Sequence, residues 1–128
     1  MGRAQQRIGR TISPLLLWVL LGTGQVFAQS HAIDSLRIRL KTEGKTTARV
    51  DLLHALGYEF LDIRDMGEAY RLADEARALA TELNYTKGLA TALTFDAERF
   101  QAERRYPEAL AAFKESIARL DAINEPQG

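Results

Sequence analysis

Asp51, His54 and Tyr58 are the residues of this sequence whose types and spacing come nearest to a chemical site. Separations of three and four residues place them on one face of a helix, and a carboxylate beside an imidazole is used in proteins for proton transfer and metal binding. A metal site needs three or four ligands, however, and no further histidine or cysteine lies nearby in the pattern. We expect His54 to be a polar groove residue or a partly exposed surface histidine.

The remaining sequence contains no glycine-rich phosphate loop, no nucleophile motif and no HExxH motif. Acidic residues such as Asp74, Glu75 and Glu98 are typical of solvated helix faces. We therefore predict no catalytic residue, no metal site and no cofactor, and we expect a protein that is not an enzyme.

The segment 1–28 has the pattern of a secretory signal peptide. Three arginines and no acidic residue accompany the apolar run 15–21, and the chain then reaches Val26, Phe27 and Ala28. We predict cleavage after Ala28 and a periplasmic or secreted mature protein. The alternative is a retained membrane anchor over 12–27, but its uninterrupted apolar run is shorter than the ~20 residues that a spanning helix needs.

Removal of that segment leaves 14 basic side chains (17 minus 3) against 17 acidic ones, a net charge of −3. Such a surface has no basic field that would attract nucleic acid, and we expect contact with a membrane only through an uncleaved signal sequence. The chain has no cysteine, so the fold must be held by packing alone.

Apolar residues recur at helical spacing along the rest of the chain, and no strand pattern competes with them. We predict an all-α fold with a disordered tail at 29–32 and a leading helix at 33–41 that covers one end of a stack. Four longer helices, joined by short links, are predicted at about 46–62, 66–83, 86–103 and 106–123. Gly57, inside the first of these, indicates either close approach of a partner helix or simple tolerance.

The sequence also repeats itself at a fixed offset, which is the separation of Leu53 from Leu93. Each unit of such a repeat is one helical hairpin that buries its apolar face against a neighbouring hairpin. The matched residues include Leu53 and Leu93, Gly57 and Ala97, Phe60 and Phe100, Ala69 and Ala109, Ala76 and Ser116, Asn84 and Asn124, and Gly88 and Gly128.

Both copies resemble tetratricopeptide repeats. The residues that carry the resemblance are Leu53, Gly57, Phe60, Ala69, Ala73 and Ala76 in one copy and Leu93, Ala97, Phe100, Ala109, Phe113 and Ser116 in the other. The resemblance implies an α-solenoid of antiparallel hairpins, with units at 46–84 and 85–124 and the start of a truncated third unit at 125–128. Asp96 departs from the family, which prefers a large apolar residue there, and the repeat is longer than the family's usual unit.

In tetratricopeptide proteins the first helix of each unit lines a concave surface that binds extended peptides. By that resemblance, the groove residues are Asp51, His54, Tyr58, Asp62, Thr91, Thr94, Glu98 and Gln101. The set is polar and mildly acidic, and it would suit a protein or peptide partner with basic or amide groups and one stacking contact. The alternative is that these side chains only solvate an unused face.

The last predicted helix should present an uncovered apolar face drawn from Leu110, Phe113, Ile117 and Leu120, because the sequence contains no third hairpin to cover it. We expect either a truncated piece of a longer array or self-association through this face. The first functional hypothesis is a non-catalytic exported scaffold for protein or peptide binding. The second, by analogy with tetratricopeptide signalling proteins, is the periplasmic sensor segment of a membrane-spanning histidine kinase or transcriptional regulator.

Overall fold

A computed structural model describes residues 14–126, with side chains described from Phe27 onward. It contains five helices, α1 (Pro14–Thr42), α2 (Thr47–Asp62), α3 (Met66–Glu82), α4 (Thr86–Ala102) and α5 (Tyr106–Asn124). Residues 14–126 contain no strand. The predicted all-α arrangement of helical hairpins is confirmed.

The first helix is longer than predicted. α1 begins at Pro14, where a proline in the first turn needs no backbone partner, and it continues without a break to Thr42. In the uncut chain, residues 29–32 are helical, and no glycine or proline interrupts the chain between 25 and 42. The disordered tail at 29–32 stays a prediction for the chain cleaved after Ala28. Of the predicted signal peptide, residues 1–13 lie outside the described residues.

Within the described residues, none of the helices combines the length and the apolar character needed to cross a membrane. The chain divides into two compact units, Met1–Ala32 and Ile33–Gly128. The second unit contains the last turns of α1 and all of α2 to α5.

Local signals set the ends of the helices. The Thr46 side chain accepts a hydrogen bond from the Arg49 N–H at the start of α2, and Asp65 accepts one from the Glu68 N–H at the start of α3. The predicted starts of both helices are thus confirmed. The loop between them closes with two backbone bonds, from Arg64 N–H to Leu61 O and from Asp65 N–H to Phe60 O, which is the Schellman arrangement.

The same turn occurs three times at equal spacing along the chain. Arg64, Asn84 and Arg104 have positive φ angles of 66°, 53° and 62°, and each is followed by a residue whose N–H reaches back five residues at 2.8 Å. Each link between successive helices from α2 to α5 is only three residues long. Because the links are this short, most of each repeat lies in its two helices.

Two hairpins form the body of the second unit. Hairpin 1 is α2 with α3, hairpin 2 is α4 with α5, and α3 also packs against α4. Val50, Leu53 and Phe60 of α2 are buried in one core cluster with three small residues of α3, Ala69, Ala76 and Ala80. The last turns of α1 contribute three apolar residues that pack on this core: Ile33, Leu36 and Leu40.

Hairpin 2 is less completely buried. Only small residues of α5 are buried, namely Ala109, Ala112 and Ser116. Leu110 and Ile117 are 55% and 58% exposed, while Phe113 and Leu120 are half-buried. The predicted uncovered apolar face of α5 is therefore confirmed at Leu110 and Ile117 and only partly at Phe113 and Leu120.

Two glycines are required by close packing. A Cβ at Gly57 would lie 3.0 Å from the Phe95 ring and 3.4 Å from the Ala69 carbonyl oxygen, so the close approach predicted from the sequence is confirmed. A Cβ at Gly88 would lie 2.7 Å from both Val50 Cγ1 and the Tyr85 ring. Gly88 therefore lets the first turn of α4 approach α2.

We expect Gly88→Ala to destabilise the protein by about 1–3 kcal/mol, because the added methyl group overfills a packed contact between the hairpins. Urea unfolding measures the change. Gly67→Ala is the matched control, since its Cβ would meet only Asp65 Oδ1 at 3.8 Å; alanine there should be neutral or slightly stabilising. Equal stability of the two variants would contradict the role given to Gly88.

Candidate functional site: a cleft at the end of the two hairpins

The carboxyl-terminal ends of α2 and α4 and the start of α3 enclose a cleft of about 440 Å³. Four of the eight predicted groove residues meet there: Tyr58, Asp62, Glu98 and Gln101. The other lining residues are Leu61, Arg64, Met66, Tyr70 and Ala102. Only Arg64 of these is a base, so the lining carries two acids and one base.

Two tyrosines give the cleft an aromatic lining. Tyr58 is 41% exposed and packs its ring against Phe95, with the ring centroids 4.5 Å apart. Partial burial raises the pKa of Tyr58, and the nearby Glu98 carboxylate raises it further. Burial also raises the pKa of Tyr70, against the opposing effect of the Arg99 guanidinium, which lies 4.6 Å above the Tyr70 ring. Both phenols stay protonated at neutral pH and can donate hydrogen bonds.

The acidic groups of the cleft have no ion-pair partner in the described part of the chain. Among the ion pairs of the described residues, none includes Asp62 or Glu98. By contrast, Asp74 on the outer face of α3 pairs with Arg99 at 3.3 Å. A cationic group that entered the cleft would therefore find two carboxylates without competing cations bound to them.

His54 is not a groove residue, and the prediction that it is exposed is wrong. Only 4% of its surface is exposed, because α4 crosses α2 at this point. Its ring stacks on Phe95 at a centroid distance of 5.4 Å, and its Nε2 lies 3.0 Å from the carbonyl oxygen of Gly88. His54 thus joins the first helices of the two hairpins.

The hydrogen bond fixes the protonation of His54. A carbonyl oxygen only accepts, so Nε2 carries the proton and donates it. The buried Nδ1 has no hydrogen-bond partner among the described residues, and adding a proton there would create a buried cation. Desolvation therefore lowers the pKa of His54, although the Gly88 carbonyl and Asp51 favour the charged form. Arg77 on α3 opposes the charge as well.

The remaining predicted groove residues lie away from the cleft. Asp51 is exposed, but its carboxylate accepts a hydrogen bond from the Tyr85 hydroxyl at 2.9 Å. The Thr91 hydroxyl donates to the Lys87 carbonyl within its own helix. Thr94 lies 3.2 Å from Ser116 Oγ and therefore faces α5 rather than a groove.

Two aromatic residues important for this region were missed by the sequence analysis. Phe95 is 1% exposed and supports the rings of both His54 and Tyr58. Its repeat equivalent is Ala55, so a comparison of the two copies could not identify it. Tyr85 precedes α4, and burial together with its bond to Asp51 raises its pKa to about 12. For Phe95, the signal available in the sequence was its position three residues after Ala92, which places both side chains on the same, buried face of α4.

Asp96, the charged residue in an expected apolar position, is explained by a neighbour. Arg77 on α3 forms an ion pair with it and also donates to the Ala92 carbonyl at 3.2 Å. In hairpin 1 the equivalent position is the buried Leu56. A charged pair thus replaces an apolar contact at the junction of α3 and α4.

A second cleft, of about 470 Å³, lies beside the link between α1 and α2. Its two basic residues are already paired, Arg49 with Glu75 at 3.8 Å and Lys45 with Glu82 at 3.6 Å. Arg49 also donates to the Leu40 carbonyl in the last turn of α1 and to the Glu43 carbonyl of the link. The basic groups of this second cleft are therefore already used in contacts within the chain, and the first cleft is the better candidate for binding.

No group of three or more histidine, aspartate or glutamate side chains in the described part of the chain is arranged to hold a metal ion. Comparison with protein-family models, curated proteins and solved structures gave no match to this chain.

We expect the stability of the protein to fall as the pH is lowered through about 6.5, where His54 of the unfolded chain takes up a proton. In the native state, burial lowers the pKa of His54, so the folded protein binds that proton only at lower pH. The loss is at most about 1.4 kcal/mol per pH unit and ends once the native pKa is passed. Urea unfolding at several pH values measures it.

His54→Gln is the matched comparison, since a glutamine side chain can donate to the Gly88 carbonyl but does not titrate. The difference in unfolding free energy between the two proteins should narrow as the pH falls below about 6.5. A difference that is independent of pH between about 7.5 and about 5 would contradict the burial of a neutral His54.

Proposed function

We propose that this protein is a non-catalytic helical-repeat scaffold of the tetratricopeptide type, and that the cleft bounded by Tyr58, Asp62, Glu98 and Gln101 binds a basic segment of a protein or peptide partner. The observation that carries the proposal is the meeting of two unpaired carboxylates with two aromatic rings in one open cleft. We further propose that the protein acts in the periplasm or outside the cell, from the signal-peptide pattern of residues 1–28.

The chemistry of the cleft favours an arginine or lysine side chain. A guanidinium or ammonium group can donate to the carboxylates of Asp62 and Glu98, and charge-assisted hydrogen bonds of this kind are stronger than neutral ones. The alkyl part of the same side chain can lie along Leu61 or Met66, and its cationic end can contact the face of a tyrosine ring. Gln101 adds an amide that can bond to the partner's backbone.

The size of the cleft limits the affinity. A volume of about 440 Å³ is in the range of a single ligand pocket, which is enough for one or two side chains of an extended peptide. We therefore expect weak binding, with a dissociation constant on the order of 10–100 μM, and salt dependence, because ion pairs at an open site are screened.

The test is the binding of short peptides that carry a central arginine, measured by fluorescence anisotropy, with citrulline peptides of the same sequence as the uncharged probe. Glu98→Gln and Asp62→Asn should each weaken binding of the arginine peptide about three- to tenfold. Binding of the citrulline peptide should change little. Glu125→Gln, an exposed acid outside the cleft, is the matched control and should bind as the unsubstituted protein does.

Charge variants are preferable to truncation of the aromatic residues. Both His54 and Tyr58 pack against Phe95, so alanine at either position would also disturb the contact between the hairpins. Equal binding of arginine and citrulline peptides, or full binding by the Glu98→Gln and Asp62→Asn variants, would disprove the proposed site.

A further inference from the structure

The exposed face of α5 carries a regular apolar seam. We define the α5 seam as the five residues Tyr106, Leu110, Phe113, Ile117 and Leu120. Their spacings are four, three, four and three, which is the heptad pattern of helices that pair along their length. Tyr106, Leu110 and Ile117 are 60%, 55% and 58% exposed, so most of the seam faces solvent.

The α5 seam differs from the face with which α5 packs inside its own chain. That inner face consists of Ala109, Ala112 and Ser116, and Ser116 donates a hydrogen bond to the Ala90 carbonyl on α4 at 2.7 Å. Small residues allow the close approach of α4, whereas the seam presents large side chains at the heptad period. The seam has the composition and period of a second helix interface.

The charges beside the seam are self-complementary. Lys114 and Asp121 lie seven residues apart, each next to a seam residue and on the same edge. Neither belongs to an ion pair among the described residues, whereas Glu115 and Arg119 on the outer surface pair with each other at 2.7 Å. In an antiparallel helix pair the same edges of the two helices meet, so Lys114 of one copy lies beside Asp121 of the other, twice by symmetry.

A parallel pair lacks this match. In that arrangement the edge with Lys114 and Asp121 faces the opposite edge of the second helix, which carries the uncharged Ala109, Ser116 and Ile123. With Lys114 opposite Asp121, the two-fold axis passes between Ile117 and Ala118. Phe113, Ile117 and Leu120 of the two copies then overlap, whereas Tyr106 and Leu110 lie outside the overlap. We propose that the protein forms an antiparallel homodimer through Phe113, Ile117 and Leu120 of the α5 seam, with Lys114 and Asp121 of one copy paired with Asp121 and Lys114 of the other.

The expected dimer is weak. α5 has 19 residues and is thus about 28 Å long, so one helix face buries less than the ~800 Å² per partner of a standard stable interface. We expect a dissociation constant on the order of 10 μM. The proposal is independent of the peptide cleft, because none of the cleft residues lies on α5.

Sedimentation velocity of the full chain over a dilution series tests the proposal. The protein should shift from monomer to dimer with rising concentration, and Ile117→Glu should abolish the shift. Ile38→Glu is the matched control, because Ile38 is also a highly exposed isoleucine, 64% exposed, but lies on α1; it should dimerise as the unsubstituted protein does. A monomer at every concentration, which would leave the seam for a different protein, would overturn the proposal, as would a dimer unaffected by Ile117→Glu.

Charge reversal tests the antiparallel arrangement. Lys114→Asp and Asp121→Lys should each weaken dimerisation about three- to tenfold, since each places like charges opposite one another. The double variant restores opposite charges across the axis and should recover the original affinity. Additive weakening in the double variant would overturn the proposed pairing.

Discussion

The seating of the Phe95 ring against α2 is the contact on which the rest of the two-hairpin structure depends. Gly57 leaves the space for this ring, with only 3.0 Å to the position of a missing Cβ, and His54 stacks on it from the same helix. The Tyr58 ring packs against it too, and that ring also lines the open cleft. One buried side chain of α4 therefore sets both the spacing of the hairpins and the position of an exposed aromatic wall.

Polar contacts at this junction fix the relative register of α2 and α4. The Gly88 carbonyl accepts from His54, and the Tyr85 hydroxyl donates to Asp51. Apolar packing alone is tolerant of small sliding movements, whereas a hydrogen bond to a buried imidazole with one defined tautomer is not. The cleft lies at the far end of the same two helices. The positions of its carboxylates, Asp62 and Glu98, therefore depend on hydrogen bonds in which neither carboxylate takes part.

Local signals made the fold largely predictable from the sequence. The caps at Thr46 and Asp65 and the left-handed Asn84 act within a few residues, and they lie at or next to the predicted ends of the helices. The fixed offset of the repeat located the hairpins. The predicted helix start at Ile33 refers to a chain cleaved after Ala28, whereas the helix of the uncut chain begins at Pro14.

The candidate site was less predictable because it depends on which side of a helix its neighbour covers. His54 and Tyr58 lie on the same side of α2, four residues apart, yet one is buried and the other is partly exposed. The edge of the contact with α4 passes between them. Its position is set by Phe95, which has no large counterpart in the other copy, and by the Gly88 carbonyl, which comes from a different hairpin. Helical periodicity predicts the direction in which a side chain points, but not how much of that side chain a neighbouring helix buries.

The three identical turns at Arg64, Asn84 and Arg104 have a consequence for how such a chain can change in length. Each turn reverses the direction of the chain after one helix. Gain or loss of two successive helices with their links would leave every later helix pointing the same way. Gain or loss of a single helix would invert all of them and exchange their inner and outer faces. Unequal recombination within the gene would therefore yield folded products only in whole hairpin steps.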